Sequence, residues 1–365
     1  MSSRHSLKRP IRLALLVGGL ATQAALANSL DLSTATIADL NAAFKSGALT
    51  SEELVTMYLR RIEAYDEQGP SINSVITFNP KALAVAKALD AERKARGARS
   101  PIHGIPIVLK DNFDTFDLPT TAGSMLLKGS IPPDDAFVVK KLREAGAIIL
   151  AKVNLNEFAD RGGAPHGFSS QGGQTRNPHD LTRSPSGSSG GTGAAIAAAF
   201  AQFGLGTDTG GSIRGPSSVN GIVGLRPTHG LLSRDGIVPL ALSFDTPGPM
   251  ARSVYDIAVS LGIMTGVDPA DDATRKCAGR FETDYLKFLK RGALKGARIG
   301  IGRDFFKGDA ETVRVMAAAV AKLKELGAVV IDPVNYPEYL LGARSAISQA
   351  VQRTADAYMR TRLTA

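Results

Sequence analysis

Two glycine-rich loops near the middle of the chain carry the residue types that nucleophilic catalysis needs. The first, residues 186–191, reads SGSSGG, and the second, residues 206–214, reads GTDTGGSIR. Glycines permit turns whose backbone N–H groups point at one spot, so a serine ending such a loop has a possible oxyanion hole beside it. An alanine-rich run, residues 192–201, separates the loops. The same composition also fits two flexible linkers around a buried helix, and composition alone leaves both interpretations open.

A histidine-based mechanism is one alternative for this region. Residues 187–191 fit G-x-S-x-G with Ser189 at the centre, but the nucleophile elbow of an α/β-hydrolase needs a strand directly before it. The preceding residues, RNPHDLTRSPS, are typical of turns. His229 is the one histidine that follows, and its neighbours indicate an ordinary loop. The sequence therefore argues against a Ser-His pair.

The segment from Ser184 to Pro216 resembles the signature region of the amidase signature family of serine hydrolases, in both loops and in the distance between them. Residues 104–112, GIPIVLKDN, resemble the motif that carries the family's catalytic lysine. The likeness extends from about Leu32 to the C-terminus and is greatest to bacterial exported amidases of the peptide amidase kind. It implies three catalytic residues: the nucleophile Ser212, the base Lys110 and the serine that bridges them, Ser188.

The resemblance also implies supporting roles around the nucleophile. Four consecutive backbone N–H groups match the family's oxyanion hole, those of Thr209, Gly210, Gly211 and Ser212. Asp208 and Arg214 flank this loop, and we expect them to pair and hold its shape, although an unrelated surface ion pair is the alternative. We expect Ser189 to orient the proton relay.

A lysine can serve as this base only in special surroundings. An unperturbed lysine has a pKa of about 10.4 and is a poor base at neutral pH. Burial removes hydration from the charged form and lowers the pKa, so the neutral amine becomes accessible. A lysine at the end of an apolar strand is more often a surface group, and the resemblance reverses that expectation for Lys110.

Alternating strand and helix patterns predict an α/β fold with helices on both faces of the sheet. A capping box at residues 50–53 opens the first long helix. The predicted helices cover residues 52–67, 80–96, 134–145, 311–326 and 346–362. The predicted strands cover residues 103–111, 147–152, 297–302 and 328–332. The resemblance adds a mixed central sheet. Family members usually run another hundred or more residues, so we expect the C-terminal part of the family domain to be missing.

Residues 1–27 have the pattern of a secretory signal. A basic start precedes a short apolar run from Leu13 to about Leu20, and Ala25-Leu26-Ala27 forms a small-x-small cleavage pattern. The apolar run is too short to span a membrane, and no later stretch of 18 apolar residues follows. We therefore predict a periplasmic or secreted protein with no membrane association after signal removal, in which residues 28–365 form the amidase domain.

The charge and the rare residues exclude several classes of site. The chain has 43 basic and 34 acidic residues and a formal charge of +9, but the charges are scattered, which argues against nucleic-acid binding. The single cysteine, Cys277, excludes an intramolecular disulfide. The five histidines show no metal-binding spacing, so we expect neither a metal nor a cofactor. The oligomeric state stays open.

Together these features predict an exported amidohydrolase that cleaves a linear carboxamide to a carboxylate and ammonia or an amine. A peptide C-terminal amide is one candidate substrate. Two alternatives remain: an esterase that uses the same triad, and an inactive truncated family member that acts as a binding module. A transamidation subunit is less favoured, because that work is cytosolic and the signal pattern indicates export.

Overall fold

The computed structural model describes residues 30–160, 162–306 and 308–335, together with residues 347, 350, 351 and 354. The predicted signal at residues 1–27 and most of the predicted helix at 346–362 lie outside the described residues, so both stay predictions. Among the described residues, no helix is both long enough and apolar enough to cross a bilayer.

A six-stranded mixed sheet forms the centre of the described chain. The described residues form ten strands, six of which belong to this sheet. The ten are β1 (Val75–Phe78), β2 (Pro106–Lys110), β3 (Ile148–Val153), β4 (Phe168–Ser169), β5 (Gly173–Gln174), β6 (Phe203–Thr207), β7 (Val223–Gly224), β8 (Pro247–Ala251), β9 (Arg298–Gly300) and β10 (Val329–Ile331). The central sheet has the order β1-β3-β2-β6-β8-β7, while β9 pairs with β10 and β4 with β5. Strand β2 runs parallel to both β3 and β6, and β8 is antiparallel to β6. The sheet is therefore mixed, as predicted.

Nine helices accompany these strands in the described residues. They are α1 (Ile37–Ser46), α2 (Ser51–Ile62), α3 (Ala82–Arg96), α4 (Phe137–Glu144), α5 (Gly190–Ala197), α6 (Arg214–Val219), α7 (Val254–Met264), α8 (Asp272–Arg275) and α9 (Ala310–Glu325). Short 3-10 turns lie at Met125–Leu127, Glu157–Ala159, Leu286–Phe288 and Arg303–Phe305. The alternation of strands and helices confirms the predicted α/β class.

Two predicted helices differ from the observed ones by more than two residues at one end. The capping box of Thr50 and Glu53 is present, but α2 ends at Ile62 and a π-helical turn continues to Glu67. Helix α4 begins at Phe137 rather than at residue 134. Before it, Asp135 accepts a hydrogen bond from the backbone of Phe116 at 3.2 Å, and this contact with a neighbouring loop replaces the expected first helical turn.

The position of α5 depends on a close approach of two backbones. A Cβ atom at Gly191 would lie 2.2 Å from the carbonyl oxygen of Asn154, which directly follows β3, so only glycine fits there. The backbone N–H of Gly191 donates to that same oxygen at 3.0 Å. This contact places the start of α5, and the serines just before it, against the ends of the parallel strands.

A buried ion pair between β3 and the residue that follows β2 fixes the C-terminal end of β2. Lys152 in β3 lies 2.9 Å from Asp111, and neither side chain is exposed. Lys152 also donates to the hydroxyl of Thr120 at 2.9 Å and to the carbonyl of Pro119 at 3.0 Å, while Asp111 accepts the backbone N–H of Thr121 at 3.1 Å. The pair ties β3, the end of β2 and the following loop together.

We expect Lys152→Met to lower the free energy of unfolding by about 3–5 kcal/mol, because it leaves the Asp111 carboxylate buried without its cation. Urea denaturation of the parent and the variant measures this change. The matched control is Glu311→Gln, which breaks the exposed pair between Glu311 and Arg314 and should leave the midpoint unchanged. A similar small effect for both variants would contradict the role given to the buried pair.

Candidate active site

The amine of Lys110 lies at the C-terminal end of β2, fully buried and in contact with two hydroxyl groups. Its Nζ is 2.7 Å from Ser188 Oγ and 2.7 Å from Thr207 Oγ1. Desolvation lowers the pKa of Lys110 to about 7, although the more distant charges of Asp245 and Asp208 act to raise it. At neutral pH a substantial fraction of this amine is therefore uncharged and able to accept a proton.

The first glycine-rich loop presents Ser188 to this amine. Ser188 and Ser189 are both buried, and α5 begins at the next residue. The carbonyl of Ser188 accepts the backbone N–H of Asn156 at 3.0 Å, which fixes the loop beside the end of β3. Ser189 Oγ lies 3.2 Å from the carbonyl oxygen of Thr207 and accepts the backbone N–H of Thr207 at 3.3 Å. Ser189 therefore joins the two loops, and its hydroxyl is held away from the role of a nucleophile.

The second loop is organised around the buried carboxylate of Asp208. This group accepts the backbone N–H groups of Gly211 at 2.7 Å and Ile213 at 3.0 Å, and it pairs with Arg214 at 3.0 Å and Arg226 at 3.3 Å. Burial acts to raise the pKa of Asp208, but the hydrogen bonds from Arg214 and the backbone outweigh it, and the pKa lies below its usual value. Asp208 is the centre of the turn that carries Ser212.

Ser212 is half-buried and lies next to the first loop, because its carbonyl accepts the backbone N–H of Ser189 at 3.2 Å. Within the described part of the chain its hydroxyl makes no hydrogen bond, so the predicted contact between Ser212 and Ser188 is not formed in this structure. The structure brings Lys110 and Ser188 together and leaves the hydroxyl of Ser212 without a hydrogen bond to any described residue.

The structure differs from the predicted oxyanion hole at one of the four N–H groups. The N–H of Gly211 donates to Asp208, so it is not available to a substrate oxygen. Gly211 has a φ of +136°, a backbone conformation that favours glycine. The N–H groups of Thr209, Gly210 and Ser212 have no acceptor among the described residues. The loop therefore offers three donors rather than four.

Three residues at the site were not assigned a role from the sequence. The hydroxyl of Thr207 bonds Lys110, the amide of Asn112 bonds that hydroxyl at 3.1 Å, and Asp245 accepts the hydroxyl of Thr209 at 2.5 Å. Thr207 and Asn112 lie at or just beyond the C-terminal ends of β6 and β2. These strands are parallel neighbours, and side chains at such ends commonly meet at one edge of a sheet. That rule is the signal that could have found both residues.

A small cavity borders this cluster. Its volume is about 10 Å³, enough for one water-sized molecule. Its lining includes the polar residues Asn112, Thr209 and Asp245 and the apolar residues Ala159, Ile237, Val238, Leu240, Leu242 and Pro247. The cavity borders the second loop through Thr207 and Thr209.

The histidine-based alternative has no geometric support. His229 Nε2 lies 3.1 Å from the carbonyl of Leu242 and 3.3 Å from the guanidinium of Arg234, and these contacts do not include a serine. No strand directly precedes Ser189 either, since the described residues from 175 to 188 form turns and an isolated bridge. Across the described ranges, no group of three or more histidine, cysteine, aspartate or glutamate side chains could hold a metal.

Comparison with known proteins decides the family. The family model described as Amidase matches residues 53–364. The chain belongs to the amidase family. The native peptide amidase from Stenotrophomonas maltophilia superposes with a TM-score of 0.84 at 42% identity, over 90% of this chain and 68% of the other. A glutamyl-tRNA(Gln) amidotransferase subunit from Thermoanaerobacter pseudethanolicus is 41% identical over 328 residues, which are 88% of this chain and 64% of the relative.

These matches cover only part of each relative. A Schizosaccharomyces pombe protein described as an amidase is 41% identical over 316 residues, which are 84% of this chain and 54% of that protein. The chain thus spans between about half and two thirds of the length of such curated relatives. The residues of the candidate site, from 110 to 245, fall inside the matched region.

The burial of the Lys110 amine leads to a prediction about how the stability of the folded chain depends on pH. Because the pKa of Lys110 is about 7 in the folded chain and about 10.4 when unfolded, unfolding takes up a proton between these pH values. The cost of burying the amine is therefore fully present below pH 7 and is lost as the pH rises to about 10.4. We expect the thermal midpoint of the parent to rise relative to that of Lys110→Met over this range.

Thermal unfolding of both proteins at a series of pH values measures this difference. Lys128→Met, which replaces an exposed lysine, is the matched control and should follow the parent at every pH. A constant difference between the parent and Lys110→Met from pH 6 to 10 would show that Lys110 titrates normally.

Proposed function

We propose that this chain is an exported amidohydrolase that cleaves a linear carboxamide through an acyl-enzyme on Ser212. The observation that carries the proposal is the 2.7 Å contact between the buried amine of Lys110 and the hydroxyl of Ser188. An amine whose pKa is near 7 is well matched to accept a proton at neutral pH. Membership of the amidase family supports cleavage of a C–N bond.

The proposed reaction moves one proton along three side chains. Ser212 Oγ attacks the amide carbon, its proton passes to Ser188 Oγ, and the proton of Ser188 passes to Lys110 Nζ. The N–H groups of Thr209, Gly210 and Ser212 stabilise the negative oxygen of the tetrahedral intermediate. The C–N bond then breaks, and the amine leaves with a proton that Ser188 supplies and recovers from Lys110.

Hydrolysis of the acyl-enzyme repeats the same path with water. Water attacks the ester carbon, and one of its two protons moves through Ser188 to Lys110. Collapse of the intermediate returns that proton to Ser212 Oγ, and the carboxylic acid product loses the other proton to solvent and leaves as a carboxylate. A side-chain rotation that brings Ser212 Oγ to Ser188 Oγ completes the path. Such contacts are commonly long in the absence of substrate and shorten when it binds.

The substrate class is inferred from the similar proteins. A solved structure of the peptide amidase is a complex with the competitive inhibitor chymostatin. The TM-score of 0.84 to that protein supports a peptide amide, with the C-terminal amide as the scissile group, as the first substrate to test. An esterase using the same residues and an inactive binding module are the competing functions.

We expect Ser212→Ala and Lys110→Ala each to reduce amide turnover by about 10⁴-fold or more, because each removes a member of a unit that works together. Ser188→Ala should be severe but milder, since a water can bridge the gap. The double change of Lys110 and Ser188 should cost much less than the two single losses combined. Release of ammonia from a peptide amide measures turnover, and parent activity should rise with pH and be half-maximal near pH 7.

Two exposed positions give matched controls: Ser218→Ala and Lys140→Ala, both of which should keep parent activity. Folded Lys110→Ala that retains most of the parent turnover would refute the mechanism. Cleavage of an aryl ester without cleavage of the matching amide would favour an esterase. Ligand binding without turnover of either compound, and without labelling of Ser212 by a fluorophosphonate, would favour the binding module.

The proposed export leads to a separate prediction about cleavage of the chain near its N-terminus. We expect the mature protein to begin at or near Asn28, and Ala27→Lys to block cleavage because the residue before the cut must be small. The matched control, Leu26→Gln, changes the tolerant middle position and should be processed. The mass of protein recovered from the periplasm measures both. Exported parent protein that retains residues 1–27 would contradict the proposal.

A further inference from the structure

Asn112 is a buried residue that is linked to the proposed base, Lys110, through the hydroxyl of Thr207. It follows Lys110 by two residues, and only 1% of its surface is exposed. Its amide nitrogen donates to Thr207 Oγ1 at 3.1 Å and to the carbonyl oxygen of Val238 at 3.5 Å. Because a carbonyl oxygen can only accept, the contact with Val238 fixes which end of the amide faces Thr207. The amide oxygen is buried without a partner in the described part of the chain, and Asn112 is one of the residues that line the small cavity.

The hydroxyl of Thr207 is shared between Asn112 and the amine. Its oxygen accepts from Asn112 Nδ2 at 3.1 Å and from Lys110 Nζ at 2.7 Å, so two donors fill its two lone pairs. With Thr207 as an acceptor, the lone pair of a neutral Lys110 is left for the hydroxyl of Ser188. If Thr207 donated to Lys110 instead, that lone pair would be occupied and Ser188 could not deliver its proton.

The amide also affects the charge state of the amine. The N–H end of the Asn112 amide dipole carries a partial positive charge and faces the cluster of Thr207 and Lys110. This partial charge disfavours the positively charged ammonium form of Lys110. The carboxylates of Asp208 and Asp245 act in the opposite direction and favour the ammonium form. Asp111 and Lys152 neutralise each other at 2.9 Å, and Lys152 lies opposite Leu109 in the register, so its side chain leaves the other face of the sheet.

We propose that Asn112 is a positioning residue for the base: through its bond to Thr207 it holds the amine of Lys110 with its lone pair toward Ser188, and it favours the neutral form. This inference rests on the proposed function, because it assigns Lys110 as the base. The role needs both the amide nitrogen and the hydroxyl of Thr207, and this requirement separates it from a general packing role.

The first experiment measures how fast a fluorophosphonate labels Ser212 at a series of pH values. The half-point of this profile is the pH at which the labelling rate reaches half of its plateau value. Asn112→Asp puts a carboxylate beside the hydroxyls of Thr207 and Ser188, and we expect the half-point to move up by about 1–3 pH units. Asn112→Ala should move it up by less and should lower the plateau rate by about tenfold or more. The control Asn41→Asp adds the same charge on α1 and should keep the parent profile.

The half-point does not depend on what fraction of a variant is folded, so partial misfolding does not hide the result. Parent-like half-points in both Asn112→Asp and Asn112→Ala would overturn the proposal. An unshifted half-point with a lowered plateau would assign Asn112 to packing alone, which also overturns it. Absence of labelling in the parent would instead contradict the proposed function, so the two failures are distinguishable.

The second experiment tests whether Asn112 acts through Thr207. In a Thr207→Val background, which keeps the side-chain shape and removes the hydroxyl, Asn112→Ala should change the plateau rate by less than about twofold. The same change in the parent background should cost about tenfold or more. An equal loss in both backgrounds would show that Asn112 acts independently of Thr207 and would overturn the proposal.

Discussion

The site depends on one unusual burial, that of the Lys110 amine at the end of β2. An ammonium group removed from water normally needs a carboxylate in contact with it. Lys110 instead contacts two hydroxyl groups, and the carboxylates that influence it, Asp208 and Asp245, are engaged with the backbone and with other side chains. Desolvation therefore outweighs attraction, and the neutral amine becomes accessible near pH 7. The rest of the site is arranged around the position of this amine.

The fold delivers partners to the amine by pairing parallel strands and then turning the chain sharply after them. Strand β2 lies between β3 and β6, so the segments after all three strands meet at one edge. Gly191 brings α5 and Ser188 to that edge, while the carboxylate of Asp208 gathers the N–H groups of the next loop. Because Asp208 also takes the N–H of Gly211, the same interaction that builds the turn reduces the number of donors left for an oxyanion.

The sequence predicted those parts of the site that local patterns carry. The apolar run before Lys110 indicated a buried strand, and the glycine-rich loops marked the segments that contain Ser188 and Ser212. The capping box at Thr50 was also readable, because it involves residues three apart. The contact of Thr207 with Asn112 was not readable, since it joins residues 95 positions apart and depends on the pairing of β2 with β6. The inward turn of the Gly211 N–H depends likewise on a side chain, and loop composition does not reveal it.

Two buried lysines in neighbouring parallel strands show why burial alone does not define a base. Lys110 and Lys152 both have no exposed surface. Lys152 lies 2.9 Å from Asp111 and also contacts Thr120, so its charge is matched and it serves to join β3 to the loop after β2. Lys110 leaves the opposite face of the sheet and meets Ser188 and Thr207, whose hydroxyls can exchange protons with an amine but cannot balance a full charge. The partner, rather than the burial, therefore separates a lysine that supports the fold from one that is suited to proton transfer.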